Sequence, residues 1–421
     1  MSQNKIMRPL KIALLSRWYW EESHFHYEEG GATRQLAEAV AALGHEVVVL
    51  TQSPEARKLK KVEIGTLETW AAPRLKHRSL FAAVRDVWAK RTYSHPKVYS
   101  DVLFLREFLA RRGPFDVLWA HAESPDGLVA ALTAKLGVKL PPVLLQIQAL
   151  RYRFQKGAPV FIEKRPLGLA FRLAKRILAN SEMIASSLPA YAGPGLSAAA
   201  LQDKVHVVYP NLQRAFLRAA QDGPSVRGPM PDRVLFLGAL NQQKGALVFM
   251  KAVPKTEVSK RTSTFTIIGD FTEYNRRFIR RWDEIKETTR IQTLGARIEY
   301  LGRVSAYEVI RQIKLARVVV IPSLFDPFSR GLVEALLLGR PVVTTDKVGA
   351  SQLVRKHECG IIVAPNDSDA LAHAIDVILS PIMPFADKAK HVAPHLIHEF
   401  SPEAIAVQIA RHLSEVAVPA K

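Results

Sequence analysis

Cysteine is nearly missing from this chain: Cys359 is the single one among 421 residues. That excludes an intramolecular disulfide framework and fits a reducing compartment. Its setting, His357-Glu358-Cys359-Gly360 before Ile361-Ile362-Val363, reads as a turn entering a buried strand and not as a catalytic thiol. Long apolar runs are also lacking. The longest candidate, 127–145, is broken by Lys135, Lys139, Pro141 and Pro142, and spanning a bilayer takes roughly 20 apolar residues in a row. No charged segment followed by an apolar core opens the chain, so no secretory leader is expected. Acidic residues are in deficit, 39 Asp and Glu against 59 Lys and Arg, which leaves a formal charge of +20 and a pI near 10.0. A surface of that sign concentrates polyanions, whether nucleic acid, anionic lipid or acidic polysaccharide. Nucleic acid is the least favoured, because neither zinc-finger spacing nor an aromatic RNP-type motif accompanies the charge.

What is present is ordinary globular composition, with 48% hydrophobic and 23% charged residues. The length exceeds a usual single core, so two domains of about 200 residues each are expected. Apolar runs alternate with helical periodicity along the whole chain. Strands are predicted at Lys11–Ser16, His45–Thr51, Asp116–Ala120, Val143–Ile147, Ile177–Ala179 and Val205–Val208. Helices are predicted at Ala32–Leu43, stopped by Gly44, at Pro125–Leu136, and from Glu182 behind the capping pair Asn180-Ser181. Residues 221–232, QDGPSVRGPMPD, form the best linker candidate. The alternation then restarts, with strands at Val234–Leu237, Phe265–Ile268, Arg297–Tyr300 and Val318–Ile321 and a helix at Gly245–Ala252. Such alternation implies α/β architecture, a parallel sheet covered by helices in each of two similar halves, with a cleft between them. Ligands of such sheets bind outside the carboxyl ends of the strands.

Several strand-end loops carry candidate chemistry. Residues 321–345, IPSLFDPFSRGLVEALLLGRPVVTT, place Asp326 and Glu334 either side of a small-residue turn, in the order strand, turn, helix, strand. A turn that opens a helix offers backbone N–H groups and a favourable dipole to an anion. An ordinary β-turn-α unit with solvated acids is the competing reading. Gly30-Gly31 precedes a helix, His121 follows the strand FDVLWA, and Lys244 lies in GALNQQKG between a strand and a helix. The Lys244 loop is not a P-loop, lacking its spacing and the Ser/Thr after Lys. Asp367-Ser368-Asp369 fits an Asp-x-Asp metal pattern, but its place ahead of a helix favours capping. His24 and His26 have no acidic or cysteine partners at ligand spacing. Leu80, Phe81, Val84, Val87 and Trp88 recur at helical spacing among basic residues from Lys76 to Arg91. That pattern suits either a helix lying on an anionic membrane or a surface helix packed on its own core.

Together these residues resemble the GT-B glycosyltransferases, specifically the retaining family 4 type. The resemblance rests on GGATRQLAEAVAALGHEVVVLT, FDVLWAH, ILANSEMIA, VHVVYPN, VLFLGALNQQKG, IEYLGRV and, above all, IPSLFDPFSRGLVEALLLGRPVVTTDKVGASQLV, which looks like the family's Glu-x7-Glu motif. It implies two Rossmann-like domains facing across a cleft: residues 1–212 on the acceptor side, a linker at 213–232, a nucleotide-sugar domain at 233–383, and a helical tail from 384 to 421 returning to the first domain. It implies catalytic roles for His121, Lys244 and Asp326. The donor would be held by Gly30, Gly31, Lys244, Asp326, Phe328, Ser329, Arg330, Gly331, Leu332 and Glu334, with Glu334 on the ribose hydroxyls, Asp326 on sugar hydroxyls and Lys244 on the diphosphate.

The function so implied is metal-independent transfer of a sugar, with retention, from a nucleotide-diphosphate donor to a hydroxyl of a lipid-linked, polysaccharide or other glycan acceptor. No cofactor is expected, and the location would be cytoplasmic or peripheral on the inner face of a membrane. The chain departs from the pattern twice: Asp326 stands where the family usually has Glu, and Ala239 where it usually has Arg, a position that Arg330 or Arg303 could cover. These departures leave open an impaired GT-B protein acting as a basic membrane- or polyanion-binding scaffold. An epimerase on the same fold fits less well.

Overall fold

A computed structural model describes residues 8–17, 19, 31–53, 55–73, 98–148, 150, 152–155, 158–161, 164–222, 232–271, 276–292, 295–380, 382 and 384–417. The candidate membrane helix at 76–91, His24, His26 and Gly30 lie outside these residues. The chain divides into two compact units, residues 1–211 with 402–421, and residues 212–401.

The first unit holds strands β1 (Lys11–Leu15), β2 (Glu46–Ser53), β3 (Lys60–Ile64), β4 (Leu67–Pro73), β5 (Val117–Ala120), β6 (Val143–Ile147), the hairpin β7 (Tyr152–Gln155) and β8 (Ala158–Phe161), then β9 (Arg176–Ala179) and β10 (Val205–Val207). Eight of them form one sheet in the order β10-β9-β6-β5-β1-β2-β4-β3. Only the edge strand β3 runs antiparallel, paired with β4. The central strands are continuous apolar runs because both faces are covered by helices. KIALL of β1 is buried from its second residue on, and VLLQI of β6 is buried throughout. Helix Ala32–Ala42 ends where Gly44 takes φ +95, a conformation that favours glycine. Ser181 caps helix Glu182–Ser187 by accepting from Ile184 N–H. The predicted helix at 125–136 instead begins with a π-helical turn, Glu123–Gly127, before regular helix over Leu128–Lys135.

Helix Pro402–Ala417 also belongs to this unit. Ile405, Ile409, Leu413 and Val416 join a core with Leu36, Val40, Trp119 and Leu144. Arg176 ties it down by bonding His412 Nδ1 at 2.8 Å and pairing with Glu415.

The second unit is a six-stranded parallel sheet of β11 (Asp232–Leu237), β12 (Ser263–Ile268), β13 (Ala296–Gly302), β14 (Val318–Ile321), β15 (Val342–Thr345) and β16 (Gly360–Val363). Its order is β13-β12-β11-β14-β15-β16. Numbered from its own first strand, that is 3-2-1-4-5-6, the doubly wound order. The strand after Cys359 is half-buried at the sheet edge, not buried as its sequence suggests. Part of the expected linker is structured: helix Arg214–Gln221 buries Phe216 and Leu217 in the second unit, so the division falls at 211/212, while 223–231 lie outside the described residues. Helix Phe385–Phe400, the first part of the expected tail, is likewise part of the second unit.

Candidate active site

The topological switch point of the second sheet lies between β11 and β14, which pair in parallel from Val234↔Val318 to Phe236↔Val320. The loops leaving these strands therefore start side by side at the carboxyl end, one carrying Lys244 and the other Asp326. One contact tightens the first loop and two bring the loops together. Asn241 Oδ1 accepts the Lys244 N–H at 2.8 Å and tightens the first loop. Leu324 N–H donates to the Gln243 carbonyl at 2.8 Å. Gly245, at φ +71, passes so close to the second loop that a Cβ there would lie 2.0 Å from the Pro322 carbonyl oxygen. The outcome is an ion pair, Lys244 Nζ to Asp326 Oδ2 at 2.6 Å.

Asp326 is buried, and its main chain is held on both sides. Its N–H donates to the Lys347 carbonyl at 2.9 Å, and its carbonyl accepts from Gly349 N–H at 2.9 Å. Phe328 N–H reaches Asp326 Oδ1 at 3.4 Å, and the Phe328 carbonyl accepts from Ala350 N–H at 2.8 Å. The 346–350 loop after β15 is thus the third part of the site. Sequence reading included it in the family motif but gave it no role.

Ser329 follows in the left-handed region, φ +72, and helix Arg330–Leu337 starts there without a side-chain cap. Gly331 sits in its first turn, where a Cβ would meet Leu237 Cδ2 at 3.0 Å, so the helix start approaches the end of β11 closely. An uncapped helix N-terminus beside a lysine is a physically sound place for a phosphate. Leu332 is buried in the core beneath, and Arg330 is exposed. Glu334 stands one turn in, half-buried by its accessible surface but crowded by protein on all sides, and that desolvation pushes its carboxyl up to about 7 while nearby Arg330 pulls the other way. Lys244, Asp326, Phe328, Ser329, Arg330, Gly331, Leu332 and Glu334 therefore all lie on two neighbouring loops and the helix they lead into. Ala239 adds no charge, and Arg303 is exposed after β13.

The first unit holds Gly31 and His121. Gly31 is the N-cap of helix Ala32–Ala42, at φ −75. His121 follows β5 at that sheet's own switch point, between β1 and β5. Its N–H donates to the Leu15 carbonyl at 3.0 Å, its Nδ1 lies 3.5 Å from Ser16 Oγ, and its Nε2 lies 3.2 Å from Gln148 Nε2. Gln148 is held by its own backbone: its N–H donates to Glu123 Oε2 at 3.1 Å, and its carbonyl accepts from Asn180 Nδ2 at 2.6 Å. Sequence reading missed Gln148 and Glu123 because nothing local distinguishes them. Only the sheet order brings the ends of β5, β6 and β9 together.

The other candidates have structural roles. Asp367 Oδ1 accepts from Asp369 N–H and Ala370 N–H at 3.0 and 2.9 Å, the capping arrangement, and Asp369 pairs with Lys255. Cys359 is buried, and burial pushes its thiol up to about 11.

Two α/β units, each built on a predominantly parallel sheet with polar side chains at its switch point, are the building plan of the GT-B fold. The family description Glycosyl transferases group 1 matches residues 231–380, and Glycosyl transferase 4-like domain matches 30–200. The chain belongs to this family and is a glycosyltransferase of the family 4 type. It is 23% identical over 393 residues to a glycogen synthase of Mycobacterium tuberculosis, covering 91% of this chain and 89% of the relative. A second relative, from Campylobacter jejuni, is an alpha-1,4-N-acetyl-D-galactosaminyltransferase whose name gives a PP-undecaprenol-linked acceptor; it is 26% identical over 149 residues, 35% of this chain and 38% of the relative. Among solved structures, Anabaena HepE in complex with UDP and glucose matches with a TM-score of 0.66 at 18% identity, covering 96% of this chain and 99% of that one.

Proposed function

We propose that the protein transfers a sugar from a nucleotide-diphosphate donor to an acceptor hydroxyl, with retention at the anomeric carbon and without a metal. The observation that carries this reading is the Lys244–Asp326 pair at the switch point, beside the uncapped N-terminus of helix Arg330–Leu337. Lys244, with the helix dipole and its N–H groups, meets the charge that develops on the departing diphosphate, the work a divalent ion does elsewhere. Glu334 takes the ribose hydroxyls and Asp326 the sugar hydroxyls. The acceptor hydroxyl attacks on the face that the diphosphate leaves, and its proton passes to the leaving phosphate oxygen. No cofactor takes part. A lipid-linked or polysaccharide acceptor is supported by the charge of +20 and by the undecaprenol-linked acceptor in the Campylobacter relative's name. The protein would then work at the inner face of a membrane, as a peripheral cytoplasmic enzyme. No helix among the described residues is long and apolar enough to cross one. The scaffold alternative gains no support from the relatives.

The test is incubation with UDP-, GDP- and ADP-sugars and a mixed glycan and lipid-linked acceptor pool, following diphosphate release and the anomeric configuration of the product. Release from one donor class, unchanged by EDTA, with the donor's anomeric configuration kept, is expected. Lys244→Ala should lower the rate about 100-fold or more. Absence of release from every donor overturns the reading.

A further inference from the structure

The Lys244–Asp326 pair has a consequence for which nucleotides the site prefers, one that rests on the donor-site reading above. Asp326 is 5% exposed, with one oxygen 2.6 Å from the Lys244 ammonium and the other receiving a long bond, 3.4 Å, from Phe328 N–H. Among the described residues, Lys244 is its one cationic partner. The carboxylate cannot follow a departing lysine. Its stem is a single methylene, and its main chain is pinned by Lys347 on one side and Gly349 on the other. Lys244, on a long flexible stem and more exposed, is the partner that moves.

A diphosphate competes with Asp326 for that same ammonium. Turning Lys244 toward phosphate strips a buried carboxylate of its charged partner, which is costly unless another donor replaces it. A sugar bonded to the phosphate brings hydroxyl donors beside the carboxylate. A bare nucleoside diphosphate brings only more negative charge. We propose that the Lys244–Asp326 pair is a specificity device, tilting the site toward the sugar-bearing nucleotide and away from the free nucleoside diphosphate, so that product is held less tightly than it would be with a neutral residue at 326.

Calorimetric titration of the full-length protein, without acceptor, tests this with UDP, GDP and ADP and with the glucose-bearing form of each. In Asp326→Asn, which keeps the shape and removes the charge, affinity for the free diphosphate should rise about tenfold while affinity for the sugar nucleotide does not rise. Asp326→Glu, which keeps the charge, should leave the ratio of the two affinities within about threefold of wild type. Equal changes for both ligands in Asp326→Asn, or weaker diphosphate binding, overturn the proposal. Asp326→Ser, with its melting temperature measured alongside, gives the same readout should the Asn variant not fold. A wild-type protein that binds none of the six nucleotides overturns the donor site itself. That result differs from an unchanged ratio in a protein that binds.

Discussion

Glu334 combines a carboxyl that burial raises to about 7 with the role proposed for it on the ribose hydroxyls. Hydroxyl donors prefer the carboxylate, so binding a nucleotide draws the proton off. Affinity for a sugar nucleotide, whose substituted diphosphate does not titrate in this range, should therefore rise about tenfold from pH 6 to pH 8 and level off above. Titrations across that range in wild type and in Glu334→Gln check this, since the variant should lose the dependence. For the unliganded protein the sign is opposite. A carboxyl raised in the folded state contributes stability that is full below its unfolded value of 4.5 and is lost as pH rises through about 7. At this scale the spacing of Asp326 and Glu334 was visible in the sequence, and so was Lys244. The ionisation of Glu334 and the pairing of Asp326 were not, because both depend on neighbours distant in the chain, Lys244 being 82 residues from Asp326.

Among elements, the strand-end loops of the second unit depend on Gly245. Its left-handed φ and its approach to Pro322 both exclude a side chain, so the Lys244 and 322–328 loops can meet only if it stays glycine. Gly245→Ala should destabilise the second unit by about 2 kcal/mol or more and weaken diphosphate binding. Gly193→Ala, where a Cβ meets nothing within 4 Å, is the control and should be near neutral. Chemical denaturation of both variants with a binding assay gives the comparison. Buried strands were the most legible elements: Val143–Ile147 and Val318–Ile321 run as their apolar sequences predict. The hairpin of β3 and β4 was not foreseen. KKVEI keeps its charges on an exposed edge and reads locally as a basic cluster. The π-helical turn at Glu123–Gly127 was equally hidden, since apolar periodicity does not distinguish one helical turn from another.

For the whole molecule, the division into units makes the last helix decisive for the first unit. Ile405, Ile409, Leu413 and Val416 are buried in its core, each contributing about 1.5–3 kcal/mol, against a typical net stability of about 5–15 kcal/mol. Truncation after Ser401 should therefore unfold the first unit and spare the second, whose core draws only on its own residues. Hydrogen exchange followed by mass spectrometry should show protection lost across 8–211 and kept across 232–400. By itself the sequence determined the class of fold and the strand-end loops that hold Lys244, Asp326 and His121, because those follow from local periodicity and from residue types at short spacing, and its motifs carried the resemblance to the family. Tertiary structure alone decided that Asp326 is paired, that Gln148 and Glu123 stand behind His121, and that of the expected tail only helix Pro402–Ala417 enters the first core. Such contacts join residues far apart in the chain, and sheet order and close packing, which no local pattern encodes, bring them together.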